Sequence, residues 1–187
     1  MLPIDQAQKR YALDVARRNL LSFLERGELV GHESASPGLL QRRATFVTLR
    51  RRDTGDLRGC RGECRPSRPL IESLIAQAIN AATDDPRFPS VTLEEIAVIT
   101  LRISVLTTPR PIRPDQIVLG RHGLIAIQES RSGLLLPEVP GHFGLKSARE
   151  FLAAVLRKAG LSETRPERGE IELYGFETIA WGDEDLD

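Results

Sequence analysis

The chain has 187 residues, of which 41% are hydrophobic and 28% charged, with a formal net charge of zero. That composition fits one globular domain, or one domain with a subdomain, and nothing in it approaches the ~18 consecutive apolar residues of a membrane span. Two cysteines make no disulfide framework, and Met1 to Arg10 lack a basic segment leading into an apolar one, so no secretory signal is read and a cytoplasmic location is expected.

Asp5 to Arg26 reads as a helix, because Tyr11, Ala12, Val15, Ala16, Leu20, Phe23 and Leu24 recur at helical spacing and Gly27 follows as a stop. Residues 31–41, bearing Gly, Ser and Pro, read as a loop on which His32 is exposed. Ala44 to Arg50 reads as a strand, Asp53-Thr54-Gly55 as its turn, and Asp56 as the start of a return strand. Pro69 opens a buried helix of about four turns, with Leu70, Ile71, Leu74, Ile75, Ala78, Ile79 and Ala82 as its apolar stripe. The helix ends at Asp84-Asp85-Pro86-Arg87-Phe88-Pro89, and Thr92 with Glu95 forms a capping-box pattern for a short helix.

Ile99, Leu101, Ile103 and Val105 alternate with polar residues, the mark of a half-buried strand. Pro109, Pro111 and Pro114 stiffen the connection that follows, and 123–128 with 133–136 reads as a hairpin around Glu129 to Ser132. Ser147 and Glu150 form a second capping box, and Gly160 closes that helix. A single last strand fits Ile171 to Ile179, and residues 181–187 read as an acidic C-terminal tail. Elements interleave without a βαβ rhythm and hairpins are frequent, so the expected class is α+β with a mainly antiparallel sheet and packed helices.

The densest chemistry lies in Leu57-Arg58-Gly59-Cys60-Arg61-Gly62. Cys60 is a candidate nucleophile or redox thiol, with Arg58 and Arg61 placed to favour a thiolate; the competing reading is a small buried apolar residue. Nine arginines between Arg42 and Arg68 face three acidic residues, a net of +6 that would attract phosphates or an acidic partner. Phe46 is the one aromatic among them, too few for base stacking, which favours a solvated basic surface.

Cys60 and Cys64 match neither Cys-x-x-Cys nor a radical-SAM cluster motif, whose third cysteine would fall at Ser67. Two cysteines cannot complete a four-cysteine zinc or iron–sulfur site, so no cofactor is expected unless a partner supplies a metal. His122, in Gly120-Arg121-His122-Gly123, is a candidate acid/base or a locally packed turn residue. Sequence does not place it within reach of Cys60. Asp84 and Asp85 offer carboxylates to a metal or an arginine, and the favoured reading is a helix end in which Asp85 pairs with Arg87. No Walker loop, dinucleotide fingerprint, Gly-x-Ser-x-Gly or His-Glu-x-x-His occurs.

Leu57-Arg58-Gly59-Cys60-x-Gly62 resembles the signature of the AMMECR family, named for the Alport syndrome, intellectual disability, midface hypoplasia and elliptocytosis chromosomal region. Further stretches agree in order: Asp85-Pro86-Arg87-Phe88-Pro89, Ile103-Ser104-Val105-Leu106, Gly120-Arg121-His122-Gly123-Leu124, Gly133-Leu134-Leu135-Leu136-Pro137, Lys158-Ala159-Gly160-Leu161 and Leu173-Tyr174-Gly175-Phe176-Glu177. The resemblance covers the chain from its first helix. It implies one α+β domain over 5–180, with a larger and a smaller subdomain and recurrent residues lining a cleft between them. Arg61 departs from the family, which usually has an apolar residue there, and Glu138 stands where the family often has glutamine.

Microbial members resemble protein A of the AmmeMemoRadiSam system. This implies Memo-like and radical-SAM partners and a role in a radical or redox-linked modification whose activity is not established. On this reading Cys60 and His122 are the candidate catalytic residues. Arg58, Gly59, Arg61, Gly62, Asp85 and Arg87 are the candidate ligand-binding residues. The alternative is a non-catalytic adaptor, or a protein that binds a nucleotide, another anionic small molecule or a nucleic acid; no membrane role is expected.

Overall fold

The computed structural model describes residues 3–33, 36–161 and 171–185. The chain divides into two compact units, one of Met1–Val105 with Ile179–Asp187 and one of Leu106–Thr178. The expected class holds: helices accompany two four-stranded sheets whose described pairings are antiparallel.

Unit 1 begins with helix α1 (Gln6–Arg26). Asp5 caps it, accepting from Gln8 N while the Gln8 side chain bonds back to Asp5 N. Gly27 ends it in the left-handed region at φ 71°. The expected loop holds a short helix, α2 (Pro37–Leu40), which buries Leu39, and His32 is half-buried rather than exposed. Asn19, buried on α1, ties this loop down by accepting from Gly31 N and donating to Gly31 O, both at 2.8 Å.

The sheet of unit 1 runs β2 (Leu57–Glu63), β1 (Thr45–Arg51), β3 (Ile99–Leu106), β8 (Thr178–Gly182). The β1–β2 register slips after Leu49, so Leu49 faces Gly59 and Arg50 faces Leu57. Arg58 is therefore an extra residue, the mark of a bulge. Helix α3 (Leu70–Thr83) packs on β1 and β2 and against α1. The core gathers Leu20, Leu49, Leu70, Ile71, Leu74, Leu101, Ile103 and Trp181. The Thr92/Glu95 pattern forms in part: Glu95 Oε2 accepts from Thr92 N at 2.9 Å, and the turn at Glu94–Val98 is 3-10 rather than α.

Unit 2 has the order β4 (Arg110–Pro111), β7 (Glu172–Phe176), β5 (Gly123–Gln128), β6 (Arg131–Leu135). The proline-rich connection thus contributes a two-residue strand and a 3-10 turn at Pro114–Gln116. The β5–β6 hairpin closes more tightly than expected, through Glu129 at φ 55° and Ser130. A short helix, α4 (Val139–His142), precedes α5 (Ala148–Lys158), which Ser147 caps by accepting from Glu150 N. Phe151, Val155 and Leu156 of α5 pack on Leu124 and Ala126 to make a second core.

The expected single strand over Ile171 to Ile179 is two strands in two different sheets. The break falls at Glu177, whose N–H donates to Thr107 Oγ1 and whose C=O accepts from Thr107 N, both at 2.8 Å. A hydrophobic pattern of period two continues through such a break unaltered, which is why it reads as one run. The acidic segment from 181 also differs from a tail as far as it is described. Trp181 is 1% exposed at the end of β8, and Asp183–Asp185 forms a 3-10 turn. Residues 186–187 lie outside the described residues.

Candidate thiol site

Strand β2 carries the hexapeptide, and its two glycines are accounted for by packing. A Cβ at Gly59 would stand 2.0 Å from Ala81 O on α3. One at Gly62 would stand 2.2 Å from Cδ1 of Phe46, its partner on β1. The strand lies so close to its neighbours at these points that no side chain fits.

Cys60 is half-buried and faces Thr48 across the β1–β2 ladder. Thr48 Oγ1 donates to Cys60 Sγ at 3.4 Å. The Cys60 N–H donates to Asp85 Oδ2 at 2.8 Å. β2 is an edge strand, so this bond caps the side of the strand that no other strand covers.

Asp85 directly follows the residue that ends α3, and its side chain is 3% exposed. Its carboxylate also accepts Arg87 Nε at 2.9 Å, Arg87 Nη2 at 2.6 Å and Arg87 N at 3.1 Å. The Arg87 side chain holds the Asp85 carboxyl far below the usual carboxylate range; burial opposes this, and the N–H groups of Cys60 and Arg87 add to it. The Arg87 pKa is raised, first by its bond to Asp85, against the opposing effect of burial, with the charges of Asp85 and Cys60 adding. Arg87 remains 54% exposed and lies over the Phe88 ring at 5.4 Å.

The arginines expected beside the thiol are engaged elsewhere. Arg58 makes a two-pronged ion pair with Glu95, at 2.9 Å on each oxygen, and donates to Pro89 O and Ser90 O at 2.9 and 3.3 Å. That pair holds the Glu95 carboxyl below its ordinary value, with the Thr92 N–H adding and burial opposing. Arg61 pairs with Asp84. The guanidinium that shares a carboxylate oxygen with the Cys60 N–H belongs to Arg87. The Asp85–Arg87 pairing was legible as two charged residues flanking a proline, whereas Thr48 had no signal beyond its place in a strand.

His122 belongs to unit 2 and Cys60 to unit 1. The Val118 N–H donates to His122 Nδ1 at 3.1 Å, so the neutral ring carries its proton on Nε2. Nδ1 is thus already used as an acceptor, and Nε2 offers a hydrogen-bond donor. Arg121 beside it pairs with Glu177 at 2.8 Å.

Of the nine arginines between Arg42 and Arg68, Arg43 is buried and donates to Gln41 Oε1, Arg50 donates to Gly55 O, and Arg51 pairs with Asp53. Arg42, Arg52, Arg65 and Arg68 are exposed. Among the described residues no group of three or more His, Cys, Asp or Glu is placed to hold a metal ion, and no helix is long and apolar enough to cross a membrane.

The AMMECR1 family model matches residues 13–181. The chain belongs to the AMMECR1 family. It is 36% identical over 183 residues to protein MK0488 of Methanopyrus kandleri, covering 94% of this chain and 88% of that one. A protein of Thermococcus gammatolerans is 41% identical over 161 residues, covering 81% and 78% of the two chains. The crystal structure of the uncharacterised protein PH0010 from Pyrococcus horikoshii superposes with a TM-score of 0.82 at 36% identity, covering 94% of this chain and 91% of that one. These likenesses carry the AMMECR1 family and its α+β fold, and the names of the relatives carry no activity.

Proposed function

We propose that this AMMECR1-family protein acts through the Cys60 thiol, as a component of a radical or redox-linked modification system with Memo-like and radical-SAM partners. The observation that carries the thiol reading is the surroundings of the sulfur. A hydroxyl donor, Thr48, reaches it from one strand, and a guanidinium is fixed beside its backbone by a buried carboxylate. A partly exposed sulfur with a hydroxyl donor in reach is open to thiol chemistry. The partners rest on the family resemblance alone.

The test is thiol labelling of the folded chain, with Cys64 as a reference in the same molecule. The expected result is that iodoacetamide labels Cys60, and that Cys60→Ser removes both this label and the modification reconstituted with the partner proteins. A Cys60 that stays unlabelled until the chain unfolds overturns the reading.

The second reading, an adaptor or nucleic-acid-binding protein, draws on the exposed Arg42, Arg52, Arg65 and Arg68. It predicts binding that falls steeply with salt. Arg58 and Arg61, its expected anchors within the signature, are already paired with carboxylates.

A further inference from the structure

We infer that the outer edge of β6 docks a second copy of this chain, the two β6 strands pairing antiparallel across a two-fold axis at Leu134. The inference is independent of the thiol reading above.

An edge strand bears a row of unpaired N–H and C=O groups, and folds blunt such rows with bulges, prolines, charges or short strands. The two sheets end in β2, β8, β4 and β6, and the first three are blunted in this way. β2 has the bulge at Arg58, and Asp85 takes the Cys60 N–H. β8 runs into the acidic turn, where Asp185 Oδ2 accepts from Gly182 N at 2.9 Å. β4 is two residues long, and one of them is Pro111. β6 has none of these devices. Its register with β5 runs unbroken from Gln128–Arg131 to Leu124–Leu135, it contains no proline, and its one charge stands at its first residue. A two-residue hairpin closes on a hydrogen-bonded pair, here Gln128 and Arg131, and such pairs recur at every second residue. Arg131, Gly133 and Leu135 therefore bond to β5, and the N–H and C=O of Ser132 and Leu134 face outward. Among the described residues nothing bonds to them.

Charge and symmetry select a second copy as the occupant. A two-fold contact needs one self-complementary patch. Antiparallel pairing about Leu134 sets Arg131 of each copy level with Pro137 of the other and next to its Glu138. Arg131 bonds only neutral oxygens within its own chain, Gly160 O at 3.1 Å and Gln128 Oε1 at 2.9 Å. Glu138 is exposed and has no ion pair among the described residues. Each cation thus meets a carboxylate, whereas a parallel pairing sets Arg131 against Arg131. The apolar contacts agree. A Cβ at Gly133 would stand 2.5 Å from Ala159 N, just past α5, so Leu134 points to the opposite face of the sheet. Ile125, Ile127 and Tyr174 lie half-buried on that face, outside both hydrophobic cores. The pairing joins two such strips and places one Leu134 against the other at the axis.

The test is analytical ultracentrifugation of the full chain over a concentration series, with amide hydrogen exchange read at single residues. The expected result is a reversible dimer in which exchange at Ser132 and Leu134 slows as concentration rises. Leu134→Pro should weaken the dimer at least about ten-fold; the N–H it removes faces outward, so the ladder to β5 is kept. Leu134→Lys, which keeps the backbone and adds a charge at the axis, serves where proline unfolds the chain. Glu138→Arg should also weaken the dimer, and combining it with Arg131→Glu should restore it. Thermal melting of each variant shows that the fold is intact. A chain that stays monomeric throughout the series overturns the inference. So does a dimer that a folded Leu134 variant leaves at full strength, or one in which Ser132 and Leu134 exchange as fast as in the monomer, since either result puts the contact on another surface.

Discussion

The N–H of Cys60 and the carboxylate of Asp85, 25 positions apart in sequence, are joined by a 2.8 Å hydrogen bond. Through it the outer edge of β2 is tied to the segment that ends α3. Asp85→Ala removes the acceptor of the Cys60 N–H and all three Arg87 bonds while opening a gap at a nearly buried position. Arg87 is free to turn to water, so the cost falls on the strand edge: about 2 kcal/mol, or about 5 °C in Tm for a chain of this size. Thermal unfolding by circular dichroism checks this, and an unchanged midpoint contradicts it.

Acid should act through the same carboxylate. The folded state lowers the Asp85 pKa, first through Arg87, with burial opposing and the Cys60 N–H adding. A lowered folded-state pKa means the unfolded chain binds the proton more readily. The contribution is therefore fully present above the unfolded value of about 3.9 and is lost as pH falls below it. Glu95, lowered by Arg58, has the same sign. Urea midpoints measured from pH 6 down to pH 3 should fall, and Asp85→Asn should flatten the lower part of that curve. A profile as steep in the variant as in wild type assigns the acid sensitivity to other groups.

Residues 6–26, 70–83 and 99–106 were legible because each buries one face, and periodicity registers burial. The hexapeptide was legible as a dense local cluster, but the surroundings of its residues were not. Its glycines suggest approach to a ligand, and in the fold they admit α3 and Phe46. Its arginines suggest a thiolate pocket, and in the fold they reach carboxylates at Glu95 and Asp84. Those partners come from the segment after α3, so no local window contains them. Thr48 is a cross-strand neighbour whose identity depends on the register slip at Leu49, and the slip itself leaves no mark in the sequence.

The two glycines should differ in what relieves their substitution. Gly59→Ala drives a methyl to 2.0 Å from a helix carbonyl, where only backbone can move. The expected loss is about 3 kcal/mol, with no rescue from a nearby side chain. Gly62→Ala meets the Phe46 ring first, at 2.2 Å, and then Thr45 O at 2.6 Å. Phe46→Ala should recover part of the second loss and none of the first. A double-mutant cycle on denaturant midpoints measures both couplings; equal coupling of Phe46 to the two positions contradicts the packing assignment.

The acidic C-terminal turn closes unit 1. Asp183 accepts Leu101 N at 2.7 Å and pairs with Arg17 of α1, while Trp181 Nε1 donates to Lys9 O at 3.1 Å. A strand end, a helix and the end of β8 are thereby held by one carboxylate and one indole. Asp183→Ala leaves the Leu101 N–H without its acceptor, and Arg17 with a 3.3 Å bond to Ile99 O. The expected cost is about 1.5 kcal/mol. Asp183→Asn keeps an acceptor oxygen and should lose less. Trp181 is the chain's only tryptophan and is 1% exposed, so its emission reports on this region directly. The shift of that emission toward longer wavelength should come at lower denaturant in Asp183→Ala than in wild type, with Asp183→Asn between them. Coincident transitions in all three chains would leave the turn without a role in holding β8.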